Sequence, residues 1–550
     1  MDDKIITELK KKFNKLIISS QKITDRTLIF QVRREDLSQI LNHAYHNLDG
    51  FFLTMCGTDA GPTQDYFLLD YVLGWYEKSL LLIIRSKIPK ADGKYRSIFP
   101  SINCADWYER EAKESLGIIP TGHPGPKKLL LSDDWPDGEF PLRKDYEYKK
   151  RPSYLRESGF QFDYPANDLN IIPYGPYHFA IHEPIYFRFF VNGEKIESAQ
   201  IRAGFNYRGL EKVAENRLTY ETIPFMAERI CGICGSTHSE CYAQALEKSA
   251  DIEIPERAKS IRVVVLEIER IHSHLLWFGF ASHMIGFDFG LMQFFRVREK
   301  DMILAEILTG NRKTYGMITP GGVRRDITEN RRKRALQLTS EIKSEYEKLM
   351  DATLGLQTFT NRLKGVGILS KEDAKKHSVM GPTARGSGID IDSRKDYPYE
   401  NYNEMEFDVP VISEGDSLSR TIVRAYEVLE SFKIIEQALE SLPDGPVHLP
   451  IDYIPPQITS IGLVEGPRGT DVHYIITGEE DTLYRWRVRA PTYANLPVTP
   501  LILKGHTIAD ASIIVGSIDP CISCMERVSI VDLKNFDEKV ISISDKNALK

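Results

Sequence analysis

Two Cys-x-x-Cys pairs, Cys231/Cys234 and Cys521/Cys524, stand 287 positions apart (521 − 234) in a chain of 550 residues. Two intervening residues let both sulfurs of a pair reach one centre. Four thiolates form a soft donor set suited to zinc, iron–sulfur or nickel. If all four share a site, the fold must bring a mid-chain segment against the C-terminal region. Zinc ribbons close their ligand set within about 20 residues. The spacing therefore argues for a buried active site rather than a local staple, although on the donor set alone a structural zinc site stays open. Gly232 and Gly235 leave backbone room beside the first pair.

The other cysteines, Cys56, Cys104 and Cys241, are scattered. They are too few and too uneven for a disulfide framework, the usage reads as cytosolic, and they cannot supply a four-thiolate iron–sulfur cluster. A net charge of −7 lacks the basic footprint of a nucleic-acid binder, so no nucleic-acid partner is expected. The N-terminus mixes charges without an apolar signal core. No apolar run approaches the about 20 residues of a membrane span; the densest, near Leu80–Ile84, is far shorter. The expected protein is soluble or at most peripheral to a membrane.

The length suggests two to four domains at about 150 residues each. Residues 1–160 read as an α+β module with strands at Leu28–Val32, Tyr66–Val72 and Leu80–Ile84 and a helix over Cys104–Gly117 that stops at Gly117. Arg151–Asn167 is the candidate linker. Phe187–Val191 and Ile196–Ile201 flank an Asn192-Gly193 turn, a hairpin signal. Beyond Thr219 the pattern is mostly helical. Pro255 is placed at the first helical position, a long charged helix is predicted over Asp326–Leu354, and another runs from Leu418 to near Pro443. The polar, Gly/Pro-rich Lys371–Val409 reads as a long excursion between helices. Strand-type runs return from Ile461. No fixed-period repeat is evident.

The segments RICGICGSTH (Arg229–His238) and DPCISCMER (Asp519–Arg527) resemble the two cysteine motifs of [NiFe] hydrogenase large subunits. GPYHFAIHEPIYFRFFVNGEKI (Gly175–Ile196), NYRGLEK (Asn206–Lys212), GPRGTDVHYIITG (Gly466–Gly478) and YRWRVRAPTYANLP (Tyr484–Pro497) are similar to the complex I-related, group 4 energy-converting branch. In the first 160 residues GTDA (Gly57–Ala60), WYEREAKESLGI (Trp107–Ile118), DDWP (Asp133–Pro136) and PLRKD (Pro141–Asp145) resemble the complex I subunit that accompanies the catalytic one. The resemblance implies an α+β fold: an accessory module, 1–160, fused to a mainly α-helical large-subunit domain, 161–550, with small peripheral sheets. Complex I's own homologous subunit lacks the cysteine quartet and serves quinone reduction, and that reading is the alternative. Two departures stand out. Tyr207 replaces a His common in relatives. Arg527 stands where uptake enzymes place a metal-binding His, which argues against a Mg²⁺ or second iron site there.

The resemblance implies a Ni–Fe centre, with CO and CN ligands on iron, that interconverts H2 and 2H⁺ + 2e⁻. Cys231 and Cys521 correspond to terminal nickel ligands and Cys234 and Cys524 to bridges. Cys521 is the candidate first base and Glu183 the candidate proton relay. Arg468 would set a guanidinium by the open metal position, His238 would hydrogen-bond a thiolate, and Glu211 matches a metal-linked position. Without the resemblance these are ordinary residues: a strand-end Glu183 in an ion pair, Arg468 in a surface turn, a packed or capping His238 and a helix-surface Glu211. His272 and His274 read as packed, and His178, matching a quinone-side loop, is assigned no quinone role. The implied partners are an iron–sulfur small subunit, ferredoxin-like electron-transfer subunits, membrane subunits of a complex I-like arm, a formate dehydrogenase and a maturation endopeptidase. Together they would form a formate hydrogenlyase-like, H2-evolving complex on the cytoplasmic face of the cell membrane. The resemblance also implies cleavage after Arg527, so that 528–550 is a removable extension.

Overall fold

The computed structural model describes residues 4–147, 149–150, 152–153, 169–178 and 183–525. Most of the candidate linker, together with Arg527 and the extension 528–550, lies outside the described residues.

The first module is built on a five-stranded sheet in the spatial order Ile17–Thr24, Thr27–Val32, Leu80–Pro89, Tyr66–Trp75, Phe51–Asp59. Within this sheet Thr27–Val32 and Leu80–Pro89 pair in parallel and the other neighbours antiparallel. The apolar run at Leu80 becomes the central strand because its side chains are buried on both faces. The helix Asp106–Leu116 packs on the edge strand Phe51–Asp59 and ends where expected. Gly117 adopts φ 76°, and its N–H closes on the Lys113 carbonyl.

The strands Tyr186–Asn192 and Lys195–Arg202 pair antiparallel around a Gly193-Glu194 loop, one position later than the sequence suggests because Asn192 still pairs with Lys195, and Asn170–Tyr174 is added on the other side of Tyr186–Asn192. Four long helices, Glu256–Met284, Asp288–Thr309, Glu329–Gly355 and Ser417–Glu440, pack against one another as the helical layer. Pro255 caps the first of these in an extended conformation, ψ 141°, one position earlier than the sequence suggests. Among the described residues no helix is long and apolar enough to cross a membrane.

The sheet expected at the periphery is central. Strands Thr459–Gly466, Gly469–Thr477 and Leu483–Arg489 are buried almost throughout. One side receives the helix Gly235–Ala250, which approaches so closely that a Cβ on Gly462 would meet the Cys241 carbonyl oxygen at 1.9 Å. The same helix also contacts Glu256–Met284 and so lies between sheet and helical layer. The N-terminal module meets the sheet through polar contacts: Arg485 donates to the Gly57 carbonyl (2.9 Å), Arg489 to that of Leu53 (2.6 Å), and Tyr493 to Glu111 (2.6 Å). The Arg485 and Arg489 guanidiniums are thus taken up where the first sheet meets this one.

The middle of the polar excursion Lys371–Val409 is also interior, while its ends, among them Lys371, Glu372, Glu404 and Glu406, stay exposed. Arg385 pairs with Glu427 (2.7 Å) and Glu465 (2.9 Å), and Arg394 with Asp392 (2.7 Å) and Glu267 (3.2 Å), all fully or nearly fully buried. A buried guanidinium is tolerable only when its donors are taken in this way.

Candidate metal centre

The first cysteine pair lies where a short helix, Ile223–Ala227, gives way to Gly235–Ala250, with Cys234 as its N-cap. The helix start is completed from outside. Glu269, on Glu256–Met284, accepts from the Ser236 and Thr237 N–H groups at 2.9 Å each, placing a carboxylate at the positive end of the helix. The second pair follows the helix Ile508–Ile518, which stops at Asp519 in the left-handed region (φ 57°) before Pro520 turns the chain inward. The Cys521 N–H is fixed by the Thr492 hydroxyl at 3.1 Å.

The two pairs converge. Cys231 Sγ lies 3.2 Å from Cys521 Sγ, Cys234 Sγ 3.4 Å from Cys524 Sγ, and Cys524 Sγ 3.0 Å from Cys521 Sγ. All four are buried. Arg208 clamps the segments together: it donates to the Ile230 carbonyl at 2.6 Å and to the Ser523 carbonyl at 3.0 Å. Burial opposes ionisation of Cys231, yet hydrogen bonds from Cys234, Cys521 and Cys524 and the nearby Arg468 hold its thiol well below the ordinary range. The same contact with Cys231 pushes Cys234 up to about 11 and raises Cys521, while burial raises Cys524. Four buried sulfurs this close repel one another when ionised, and a bound cation offsets that repulsion. A soft metal supplies that cation, so the donor set fits a thiolate-bound metal centre.

Glu183 is half-buried beside the second pair, accepting from the Ser523 N–H at 2.9 Å and from the Ser523 hydroxyl. Arg468 does occupy a turn: Gly466 pairs with Gly469, leaving Pro467-Arg468 as a two-residue hairpin loop. The turn is interior, however. Arg468 is 4% exposed and donates to the Asp519 carbonyl (2.8 Å), the Asp519 carboxylate (2.9 Å) and the Ser273 hydroxyl (3.2 Å). Gly469 (φ 123°) lets this turn press on Gly381, whose nitrogen would lie 2.7 Å from an added Cβ. His238 Nε2 lies 3.5 Å from Cys524 Sγ.

Glu211 is not brought into this cluster. Its carboxylate accepts from Arg485 at 2.9 Å and from the Val488 N–H at 3.0 Å, which anchors it to the strand Leu483–Arg489. His274 pairs with Glu427 at 2.9 Å, His272 with Arg298 at 3.3 Å, and His178 stacks on Tyr174 at 3.8 Å. Cys56 and Cys241 are buried and Cys104 partly so; burial raises all three thiols, Cys56 to about 11 and Cys104 to about 12.

Among the described residues two groups have ligand atoms within 4.8 Å of one another: Cys231/Cys234/Cys524 and His238/Asp471/His473. Asp471 and His473 were not singled out from sequence, nor were Arg208, Thr492 and Asp519. All five lie inside the motifs that carry the resemblance, and that membership was the available signal.

The family model for nickel-dependent hydrogenases matches residues 208–300. The 49 kDa subunit of respiratory-chain NADH dehydrogenase matches 285–456 and 451–527, and its 30 kDa subunit matches 30–152. Formate hydrogenlyase subunit 5 of Escherichia coli is 39% identical over 524 residues, 94% of this chain and 92% of that one. Hydrogenase-4 component G of the same organism is 38% identical over 541 residues, 98% and 95% of the two chains. Among solved structures, a chain of an archaeal respiratory membrane complex, the membrane-bound sulfane sulfur reductase, superposes with TM-score 0.63 at 31% identity. It is covered in full and spans 66% of this chain.

Proposed function

Because the chain belongs to the complex I-related, nickel-dependent hydrogenase large subunits, we propose that Cys231, Cys234, Cys521 and Cys524 hold a Ni–Fe centre that interconverts H2 and 2H⁺ + 2e⁻. The observation that carries this reading is the meeting of two distant pairs at one buried point, 3.2 Å between Cys231 and Cys521 and 3.4 Å between Cys234 and Cys524. Cys231 and Cys521 would hold nickel alone, Cys234 and Cys524 would be shared between nickel and iron, and the iron would carry CO and CN. When bound, the centre supplies heterolytic cleavage of H2 and two-electron exchange.

The chain's own groups handle the proton and the environment. Cys521 Sγ takes the proton first, and the Glu183 carboxylate, fastened at Ser523, passes it outward. The Arg468 guanidinium, locked by Asp519 and Ser273, holds positive charge near the sulfurs. His238 Nε2 donates toward Cys524. Burial of all four cysteines keeps bulk water from the sulfurs.

Residues 1–160 form an accessory module fused to the catalytic region 161–550. The 30 kDa-subunit match over 30–152 supports that division. The working direction is H2 evolution in a formate hydrogenlyase-like complex on the cytoplasmic membrane face, with an iron–sulfur small subunit, ferredoxin-like subunits, a complex I-like membrane arm and a formate dehydrogenase. Support comes from the relatives and from the three leftover cysteines, which cannot hold a four-thiolate cluster. The 49 kDa-subunit match favours a second reading, a quinone-reactive subunit. Infrared spectra of the purified complex decide between them: CO and CN stretching bands are expected for the first, and their absence from nickel-replete protein excludes it.

A further inference from the structure

Behind Cys524 runs a buried line of hydrogen bonds whose direction is forced by its far end. Trp486 Nε1 lies 3.3 Å from His473 Nδ1, His473 Nε2 lies 3.2 Å from His238 Nδ1, and His238 Nε2 lies 3.5 Å from Cys524 Sγ. Trp486, His473 and His238 are all 0% exposed. Trp486 and His473 stand on the neighbouring strands Leu483–Arg489 and Gly469–Thr477, and the two imidazoles stack at 5.5 Å and 29°.

An indole N–H can only donate. His473 Nδ1 is therefore an acceptor, and its proton sits on Nε2. That proton points at His238 Nδ1, which must in turn accept, so the His238 proton sits on Nε2, aimed at the Cys524 sulfur. A rival arrangement is built into the same cluster. Asp471 Oδ1 lies 3.5 Å from His238 Nδ1, and a carboxylate there favours a proton on Nδ1, which would turn a lone pair toward the sulfur. The Trp486 donor decides between the two.

We propose that Trp486 is a positioning residue for the cysteine centre: through His473 it sets the tautomer of His238 and so keeps an N–H directed at the Cys524 sulfur. The inference rests on the Ni–Fe reading above. An N–H donor withdraws electron density from a metal-bound thiolate and raises the potential of the metal it serves. Without the indole donor, His473 can carry its proton on Nδ1, His238 can turn its own toward Asp471, and the sulfur loses its donor.

The test uses the purified complex, with nickel content and the midpoint potential of its nickel EPR signal as readouts. Trp486→Phe keeps an aromatic ring but removes the N–H. It is expected to retain nickel while its midpoint potential moves negative. Adding His473→Gln supplies an amide that donates to His238 whatever stands at 486, and is expected to return the potential to the wild-type value. Should Phe destabilise the core, the benzothienyl isostere of tryptophan at 486 keeps the shape, lacks the N–H and is expected to give the same shift. An unchanged potential in nickel-loaded Trp486→Phe or isostere protein would overturn the proposal, as would a shift that His473→Gln does not reverse. Wild-type complex without nickel would instead overturn the metal reading beneath it.

Discussion

Glu183 accepts the backbone N–H of Ser523 at 2.9 Å and the Ser523 hydroxyl as well, which ties a carboxylate to the middle of the Cys521–Cys524 pair. Glu183→Gln preserves the size and an acceptor for that N–H but cannot carry a proton. Net H2 turnover is expected to fall by orders of magnitude with nickel content unchanged. H/D exchange at the wild-type rate in this variant would move the relay elsewhere.

Arg208 joins Ile230, beside Cys231, to Ser523, beside Cys524. A hydrogen bond from a charged donor contributes about 1.5–3 kcal/mol, so Arg208→Met is expected to weaken nickel retention by roughly tenfold or more. Arg208 reaches three carbonyls, those of Arg229, Ile230 and Ser523, and a Lys ammonium cannot match that fork, so Arg208→Lys should fall between. Nickel remaining after a timed chelator challenge measures this, and equal retention in all three proteins would contradict the clamp.

The sequence and the structure agree where local chemistry decides. The Gly117 stop, the hairpin at Gly193 and the two cysteine pairs depend on neighbours a few residues away, and each is legible in the chain. They differ where partners come from far along the chain. Glu211 reads as a metal-linked or helix-surface carboxylate, and nothing local announces Arg485, 274 positions on, as its partner. GPRG reads as a surface turn because turn residues do not report what packs over them; here Gly381 and Asp519 do. The segment Lys371–Val409 is polar enough to suggest solvent, and only the fold shows its arginines neutralised by Glu267, Glu427 and Glu465.

Burial is the main cause that raises the Glu228 carboxyl from 4.5 to about 7, and its oxygens share one donor, the Gly316 N–H, at 2.9 and 3.0 Å. Below pH 4.5 both folded and unfolded chains hold the proton and the group costs nothing. As pH rises toward about 7 the unfolded chain releases it first, so stability falls across that window and levels off above it. At about 1.4 kcal/mol per pKa unit the loss is on the order of 3 kcal/mol. Glu228→Gln keeps an acceptor for Gly316 and removes the titration. Its thermal midpoint is expected to drop less than the wild type's between those pH values. Parallel curves would show that Glu228 does not titrate there.

The tail 528–550 is expected to be cut after Arg527 once nickel is inserted. Held in place, it would keep the Cys521/Cys524 segment open for metal delivery; removed, it would let that segment close. Intact mass of nickel-containing enzyme checks this. A chain ending at Arg527 fits processing, whereas one ending at Lys550 refutes it and leaves the site intact.

Nickel content of the purified complex, compared between wild type and single Cys→Ser variants at 231, 234, 521 and 524, tests the central claim most directly. Serine replaces a soft ligand with a hard, poorly ionised one. Stoichiometric nickel in the wild type and its loss, with H2 activity, in each variant is the expected result. Zinc alone in the wild type, or full nickel and activity in any one variant, would contradict a centre held by all four sulfurs.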